Sequence, residues 1–125
     1  MTLARVPGRF AVARLAPDAP VPSWATGAVT SITRTADELS IVCDDDAVPN
    51  GVYAMRDFAA VRVLGTIDFG VVGVLASLTR ALAEAAVSVL AISTFDTDYL
   101  LVRTSDYGRA RQALSSVAVF VDEGE

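Results

Sequence analysis

The stretch that decides the fold covers residues 64–93 and reads LGTIDFGVVGVLASLTRALAEAAVSVLAIS. Apolar residues recur at three- and four-residue spacing through its middle, which predicts one amphipathic helix over about residues 69–86. Thr66 or Asp68 is placed to cap the start of that helix. Residues 87–93 are apolar at successive positions, which is typical of a strand that is covered on both faces.

The residues around this stretch extend the pattern to strand, helix, strand, strand, helix, strand. The further elements are a strand over 57–64, a turn at Asp96-Thr-Asp98, a strand over 99–104, a short helix over 107–115 and a last strand over 117–121. This βαββαβ order is that of the α+β, ferredoxin-like folds. In such folds two helices cover one face of a four-stranded antiparallel sheet.

The first half of the chain carries mainly strand and turn signals. It predicts a strand over 9–15, a short helical piece around residues 23–25, a hairpin over 29–43 and a turn at Pro49-Asn-Gly51. We interpret residues 1–56 as a shortened version of the same module and residues 57–125 as a complete one. The chain is then a tandem of two related modules.

Charge and composition exclude several classes of function. The 125-residue chain has a formal net charge of −5, no lysine and no histidine. Its ten arginines are scattered, so no concentrated basic patch for nucleic acid is predicted. Without histidine the chain lacks the commonest general base near neutral pH and the commonest nitrogen ligand for zinc. We expect no nucleic-acid partner, no metal, no cofactor and no catalytic residue.

The apolar content predicts location and assembly. The apolar runs are shorter than the ~20 residues of a membrane span, and the N-terminal residues lack the pattern of a signal peptide. Cys43 is the single cysteine and cannot close an internal disulfide, so a cytoplasmic protein is expected. The hydrophobic fraction of 53% and the mean hydropathy of +0.47 are high for a small chain. We therefore expect a homo-oligomer, most simply a dimer.

The quoted stretch, together with Ile92-Ser-Thr-Phe-Asp-Thr-Asp-Tyr-Leu-Leu-Val102, resembles the ACT domains. It is similar to the regulatory domains of aspartokinases and to the arginine sensors of the TOR pathway. The second half of the chain carries the close match, and the first half matches more loosely through Pro22-Ser-Trp24. The resemblance implies a ligand-binding regulatory protein that acts on an effector protein and is not itself an enzyme.

In that family the ligand lies between the start of a module's first helix and the loop after its second strand. The ligand-binding residues implied for this chain are Asp68, Phe69, Gly70, Val71, Thr94, Phe95 and Asp98. A helix start carries unpaired amides and about half a positive charge, which suits an α-carboxylate. Asp98 supplies a negative charge for an ammonium group. An amino acid or a similar small zwitterion fits both, although the second acid of the arginine sensors is replaced here by Val71.

Two glycines inside the predicted helix need a physical reason. Gly70 and Gly73 each cost roughly 1 kcal/mol relative to alanine in a helix interior. Removing a Cβ permits either close packing of the helix on the sheet or close approach of a ligand or partner. The sequence leaves both explanations open.

Three functions stay open from the residues alone. The first is a sensor in which the ligand shifts the state of assembly, and the second is an interaction module that keeps the fold without a ligand. The third is an enzyme that uses Asp68 and Asp98 as an acid and base pair. The triplet Asp44-Asp-Asp46 is expected to be a solvated strand end rather than a calcium loop, and Cys43 a core residue rather than a nucleophile.

Overall fold

The computed structural model describes residues 1–67 and 71–121. The chain divides into two compact units. We call Gly8–Phe58 the smaller unit, and Met1–Pro7 with the described part of Ala59–Glu125 the larger unit. Strands β1 (Thr2–Leu15) and β4 (Ala54–Val63) each contribute residues to both units.

The larger unit has the predicted order of strand, helix, strand, strand, helix, strand. After β4 come helix α1 (Val74–Glu84), strands β5 (Leu90–Ser93) and β6 (Asp98–Arg103), helix α2 (Tyr107–Leu114) and strand β7 (Val119–Phe120). Strands β5 and β6 form an antiparallel hairpin, and the strand order is β1-β4-β6-β5. The predicted α+β fold, with an antiparallel sheet and two helices, is confirmed.

The N-terminal part of β1 is a strand that the sequence did not predict. The strand predicted over 9–15 already begins at Thr2, whose carbonyl accepts the amide of Leu64 at 2.9 Å. Strand β7 pairs with β1 in parallel, so the sheet of this unit is not purely antiparallel. The sequence does not indicate this part of the strand, because Pro7 and Gly8 are residue types that are unfavourable inside strands. Proline lacks a backbone donor, and Gly8 has a φ of 103°.

The core of the larger unit joins both helices to the strands. Leu78 and Leu82 of α1 and Leu114 of α2 are buried in one cluster with Val61 and Leu100 of the sheet. Burial of a leucine side chain stabilises the fold by about 1.5–3 kcal/mol. The amphipathic periodicity of the quoted stretch therefore identifies the face of α1 that packs in this core.

Helix α1 ends in a Schellman arrangement, which shortens it relative to the prediction. The amide of Ala86 donates to the carbonyl of Ala83 at 3.0 Å, and the amide of Val87 donates to the carbonyl of Leu82 at 2.9 Å. Ala86 has a φ of 57°, in the left-handed region that glycine usually occupies at this position. The side chains of Val87 and Leu82 are both buried, as this motif favours.

We expect Ala86→Gly to raise the free energy of unfolding by about 0.5–1 kcal/mol, because glycine adopts positive φ without steric cost. Ala83→Gly is the matched control, since Ala83 is an exposed residue inside the same helix. There the same change should lower stability by about 0.5–1 kcal/mol. Urea denaturation followed by circular dichroism measures both, and changes of equal sign would contradict the assignment.

The strands predicted to follow the two helices are shorter than expected. Strand β5 begins at Leu90 and β7 at Val119, because the residues before them still belong to the helix ends. The amides of Val117 and Ala118, for example, donate to the carbonyl of Leu114 at 3.1 and 3.0 Å. In β5 the expected burial on both faces is also wrong, since alternate residues are exposed.

The described part of the smaller unit consists of strands and turns. It contains the hairpin of β2 (Ser31–Arg34) and β3 (Leu39–Asp44), and its strand order is β2-β3-β1-β4. The predicted hairpin is confirmed, as is the turn at Pro49, whose carbonyl accepts the amide of Val52 at 3.4 Å. The helical piece predicted around residues 23–25 is a single turn instead, in which the amide of Ala25 donates to Pro22 at 3.2 Å.

The triplet Asp44-Asp-Asp46 is only in part the solvated strand end that the sequence predicts. Asp45 begins a short 3-10 turn and is 6% exposed. Its carboxylate accepts the amide of Asp57 at 2.8 Å and Nη1 of Arg56 at 3.3 Å. Asp46 is the solvated member, with 92% of its side chain exposed. Asp45 therefore fixes the turn after β3 to β4.

Cys43 is a fully buried core residue, as predicted. Burial raises the pKa of its thiol, and the adjacent Asp44 carboxylate raises it further. The raised pKa suppresses the thiolate, which is the nucleophilic form of cysteine.

We expect iodoacetamide at pH 8 to modify Cys43 at least tenfold more slowly in the native protein than in urea. The folded thiol has the higher pKa, so this group contributes stability below the unfolded pKa of about 8.5 and loses it as pH rises through the folded value. The free energy of unfolding of wild type and of Cys43→Ala, measured by urea denaturation over a series of pH values, isolates that contribution. Equal modification rates in both states would contradict the burial of the thiol.

Candidate ligand-binding cleft

A cleft of about 300 Å³ lies in the larger unit, beside the start of α1. One side consists of residues that lead into α1 and of its first turn, and the other side is the hairpin between β5 and β6. The described lining residues are Ile67, Val71, residues 73–76 and residues 93–98. This volume is at the lower end for ligand pockets, so the cleft suits one small molecule.

Hydrogen bonds of its own residues hold the hairpin side of the cleft in place. The amide and the hydroxyl of Thr94 both donate to the carbonyl of Thr97, at 2.8 and 3.0 Å. Thr97 is buried, and its hydroxyl donates to the carbonyl of Val63 in β4 at 2.8 Å. The amide of Ile67 donates to the carbonyl of Asp96 at 2.7 Å. The hairpin is therefore fastened to the strand and to the loop before α1.

Asp98 places a carboxylate in the cleft. It is the first residue of β6 and is half-buried, and Oγ of Ser93 donates to its Oδ1 at 2.6 Å. Ser93 pairs with Asp98 across the hairpin, so this bond follows from the strand register. A carboxylate accepts hydrogen bonds through two oxygens, which leaves capacity for a cationic ligand group.

Helix α1 begins later than the sequence predicts. Its first residue is Val74, whereas Val71 and Val72 lie outside the helix. Gly73 is the N-cap residue with a φ of 88°, and no side chain of the described residues caps the helix. Because Gly73 is left-handed, the apolar pattern before it does not continue the helix, and the predicted start near residue 69 with Thr66 as a possible cap is wrong. Asp68, the other predicted cap, lies outside the described residues.

The structure gives Gly73 a third explanation, its backbone conformation, beside the two that the sequence left open. A Cβ built on Gly73 would meet no atom within 4 Å among the described residues, so close packing on the sheet does not require glycine there. The positive φ does require it. The amide of Ser77 donates to the carbonyl of Gly73 at 2.9 Å, so the amides of residues 74–76 precede the first intrahelical bond of α1, and these residues line the cleft.

Four of the predicted site residues line the same cleft: Val71, Thr94, Phe95 and Asp98. The other three, Asp68, Phe69 and Gly70, lie outside the described residues. The ring of Phe95 is fully exposed, and Val71 is 54% exposed. Ligand binding by these residues stays a prediction.

Sequence reasoning missed several lining residues for identifiable reasons. Ser93 was treated only as the end of a strand, although its pairing with Asp98 in the hairpin brings the two side chains together. Thr97 acts through a carbonyl 34 residues away, which no local pattern indicates. Gly73 carried a local signal, since a glycine within an apolar helical pattern is also typical of a helix end.

The described part of the chain offers neither a candidate metal site nor a candidate membrane-spanning helix. Residues 1–67 and 71–121 contain no group of three or more histidine, cysteine, aspartate or glutamate side chains that could hold a metal ion. Within the same ranges no helix has both the length and the apolar character needed to cross a membrane.

Family models match most of the chain in two segments. The model described as the ACT domain matches residues 54–116. A second model, for an N-terminal domain, matches residues 8–51. A comparison with curated proteins finds no match.

Solved structures resemble the chain over nearly its whole length. A protein from Agobacterium tumefaciens is 32% identical with a TM-score of 0.92, and the match covers 99% of this chain and 94% of that chain. A Vibrio cholerae protein of unknown function, described as a possible transport protein, is 18% identical with a TM-score of 0.74, covering 92% and 88%. The ligand-free regulatory subunit of aspartate kinase from Thermus thermophilus is 12% identical with a TM-score of 0.65, covering 91% and 95%. The last two proteins share the fold.

Proposed function

Because the chain belongs to the ACT domain family, we propose that it is a non-catalytic regulatory protein that binds an amino acid or a similar small zwitterion in the cleft beside α1. The observation that carries this proposal is the pairing of opposite electrostatic character in one cleft. The Asp98 carboxylate lies on the hairpin side, and the first turn of α1 lies on the other. An amino acid carries a matching pair of charges.

The residues of the cleft suggest how each end of the ligand is held. The α-carboxylate accepts hydrogen bonds from the amides of the first turn of α1, where the helix dipole favours negative charge. The α-ammonium binds the carboxylate of Asp98, which Ser93 holds in place. Thr94 is already engaged with Thr97, so in the proposal its hydroxyl orients the hairpin as well as the ligand. Val71 and Phe95 supply apolar contacts.

A regulatory role is favoured over catalysis by the groups that are present. The ionisable side chains among the described lining residues are those of Asp96 and Asp98. The sequence contains no histidine to act as a base with them. Regulatory subunits of aspartate kinase share this fold. The enzyme hypothesis also requires Asp68, which lies outside the described residues.

The proposal includes a tandem of two ACT-like modules, a shortened one over residues 1–56 and a complete one over 57–125. Strand order supports it. In the smaller unit β1 to β4 are the first to fourth strands of a module, and their order in the sheet is second, third, first, fourth (β2-β3-β1-β4). In the larger unit β4, β5 and β6 are the first, second and third strands. Their order β5-β6-β4-β1 is again second, third, first, with β1 in the place of the fourth strand.

The proposed output is a change of assembly or of contact with an effector protein in the cytoplasm. A ligand shifts such an equilibrium only by its difference in affinity for the two states. Exposed apolar residues beside the cleft support a protein partner, most simply a second copy in a homodimer. Val72 is 90% exposed and Phe95 is fully exposed.

Thermal denaturation in the presence of each of the twenty standard L-amino acids tests the proposal. At about 100 times its Kd a ligand adds ~2.7 kcal/mol of stability, which raises the Tm of a domain of this size by about 10 °C. We expect at least one amino acid to give such a rise. If none does, the result favours the second candidate, an interaction module whose exposed Val72 and Phe95 serve assembly alone.

A further inference from the structure

Four of the described lining residues offer aliphatic surface to a ligand side chain. Ile67, Val74 and Leu75 line the cleft while also packing on the buried core, so their positions are fixed by the fold. Val71 lines it with 54% of its surface exposed to solvent. An apolar side chain placed against these residues removes apolar surface of both partners from water, which is favourable in proportion to its area.

The ionisable side chains among the described lining residues are all acidic. Asp96 and Asp98 are the ionisable groups among the described lining residues, and neither an arginine nor a lysine occurs among them. In the proposed binding mode the amides of α1 are used by the ligand's own α-carboxylate. An acidic side chain would therefore meet two like charges and no cationic side chain among the described lining residues, which disfavours binding.

A basic side chain gains less than an apolar one in this cleft. Asp98 is used by the α-ammonium group, which leaves Asp96 as the remaining acid. Asp96 is exposed, and its backbone carbonyl already holds Ile67 in place. An exposed ion pair is screened by solvent and contributes little. The methylene groups of a basic side chain would cover part of the aliphatic surface, but the charged group at its end would add no apolar burial.

From this distribution we infer that the cleft selects amino acids with apolar side chains, of the size of valine, leucine, isoleucine or methionine, and rejects acidic ones. The inference rests on the proposed function and names the ligand class of that same site. Its specificity determinant is Val71, because this residue is both part of the lining and accessible from solvent.

Calorimetric titration of the wild-type protein with eight ligands tests the class. The ligands are L-valine, L-leucine, L-isoleucine, L-methionine, L-aspartate, L-glutamate, L-lysine and L-arginine. We expect the tightest apolar ligand to bind at least tenfold more tightly than any of the four charged ones. Equal or tighter binding of a charged ligand overturns the inference and leaves the proposed function standing. Absence of binding by all eight ligands, together with no thermal stabilisation by any of the twenty standard L-amino acids, overturns both.

A gain of specificity at Val71 provides the sharper test. Val71→Arg places a cation on the aliphatic surface, so we expect L-leucine to bind at least tenfold more weakly and L-aspartate or L-glutamate to bind measurably. Val119→Arg is the matched control, because it makes the same change at a valine that is 64% exposed and not among the lining residues. It should leave L-leucine binding within about twofold of wild type, as is usual for exposed charges outside a site.

Circular dichroism and Tm of both arginine variants establish that they fold, which the exposure of both positions favours. If Val71→Arg does not fold, Val71→Ser replaces it, with several-fold weaker L-leucine binding expected. Unchanged L-leucine binding in a folded Val71 variant, or an equal loss in Val119→Arg, contradicts the role of Val71.

Discussion

Replacing Asp98 by alanine is expected to weaken binding of the best amino-acid ligand by more than tenfold and to abolish most of its thermal stabilisation. The carboxylate is half-buried in the cleft and oriented by Ser93 at 2.6 Å, so it is prepared to receive an ammonium group. Charge-assisted hydrogen bonds of this kind contribute about 1.5–3 kcal/mol, which corresponds to roughly 10- to 150-fold in affinity. Calorimetric titration of wild type and variant with L-leucine, or with whichever amino acid stabilises wild type most, measures the effect.

Two further variants separate charge from shape. Asp98→Asn keeps the size of the side chain and an oxygen for Ser93 but removes the negative charge, so it should lose nearly as much affinity as alanine. Asp96→Ala removes an exposed carboxylate from the same hairpin while keeping the carbonyl that accepts the amide of Ile67. It should change affinity by less than about threefold. Wild-type binding by Asp98→Ala would reject the assignment of this carboxylate and leave the fold unaffected.

Asp45→Ala is expected to lower the free energy of unfolding by about 2–4 kcal/mol. The substitution removes a carboxylate that belongs to a residue 6% exposed, and it leaves the amide of Asp57 without its acceptor. The guanidinium of Arg56 loses its ionic partner and keeps only backbone carbonyls as acceptors among the bonds described, those of Asp45, Val48 and Pro49. Loss of one partner of a buried pair costs about 3–5 kcal/mol. The side chain of Arg56 is 34% exposed and can be partly rehydrated, which places the expected loss towards the lower end.

The adjacent Asp46→Ala serves as the control for Asp45. It makes the same chemical change one residue along the chain, at a side chain that is 92% exposed. Its effect should remain within about 0.5 kcal/mol, as is usual for surface positions. Urea denaturation of the three proteins distinguishes a buried structural carboxylate from a solvated strand end. Equal stability of both variants would show that Asp45 belongs to a solvated strand end, as the sequence predicts.

Four of the twelve described lining residues were predicted, through the resemblance to the ACT domains, and local patterns located the elements that carry them. The apolar periodicity located α1, and the turn signal at Asp96 located the hairpin that carries Asp98. The start of α1 did not follow, because valines at 71 and 72 continue the apolar pattern although Gly73 interrupts the helix with a φ of 88°. A backbone dihedral angle leaves no trace in side-chain periodicity when the residues on either side are apolar.

The burial of Asp45 also could not be read from its neighbours. Three successive aspartates have the composition of a solvated segment, and two of them are not buried. Whether the middle one is buried depends on Arg56 and on the amide of Asp57, which β4 brings to the turn after β3. The favourable partner of a buried charge lies elsewhere in the chain, so composition alone gave the wrong result.

The sequence by itself determined the order of helices and strands in the second half, the hairpin of the first half and the buried face of α1. These depend on side-chain periodicity and turn chemistry, which act between residues a few positions apart. The tertiary structure alone decided that β1 begins at Thr2 and that β7 pairs with it in parallel. Those contacts join backbone groups far apart in the chain, and every residue has the same backbone donor and acceptor except proline. Their pairing is therefore selected by the packing of the whole sheet and not by the identity of the residues that pair.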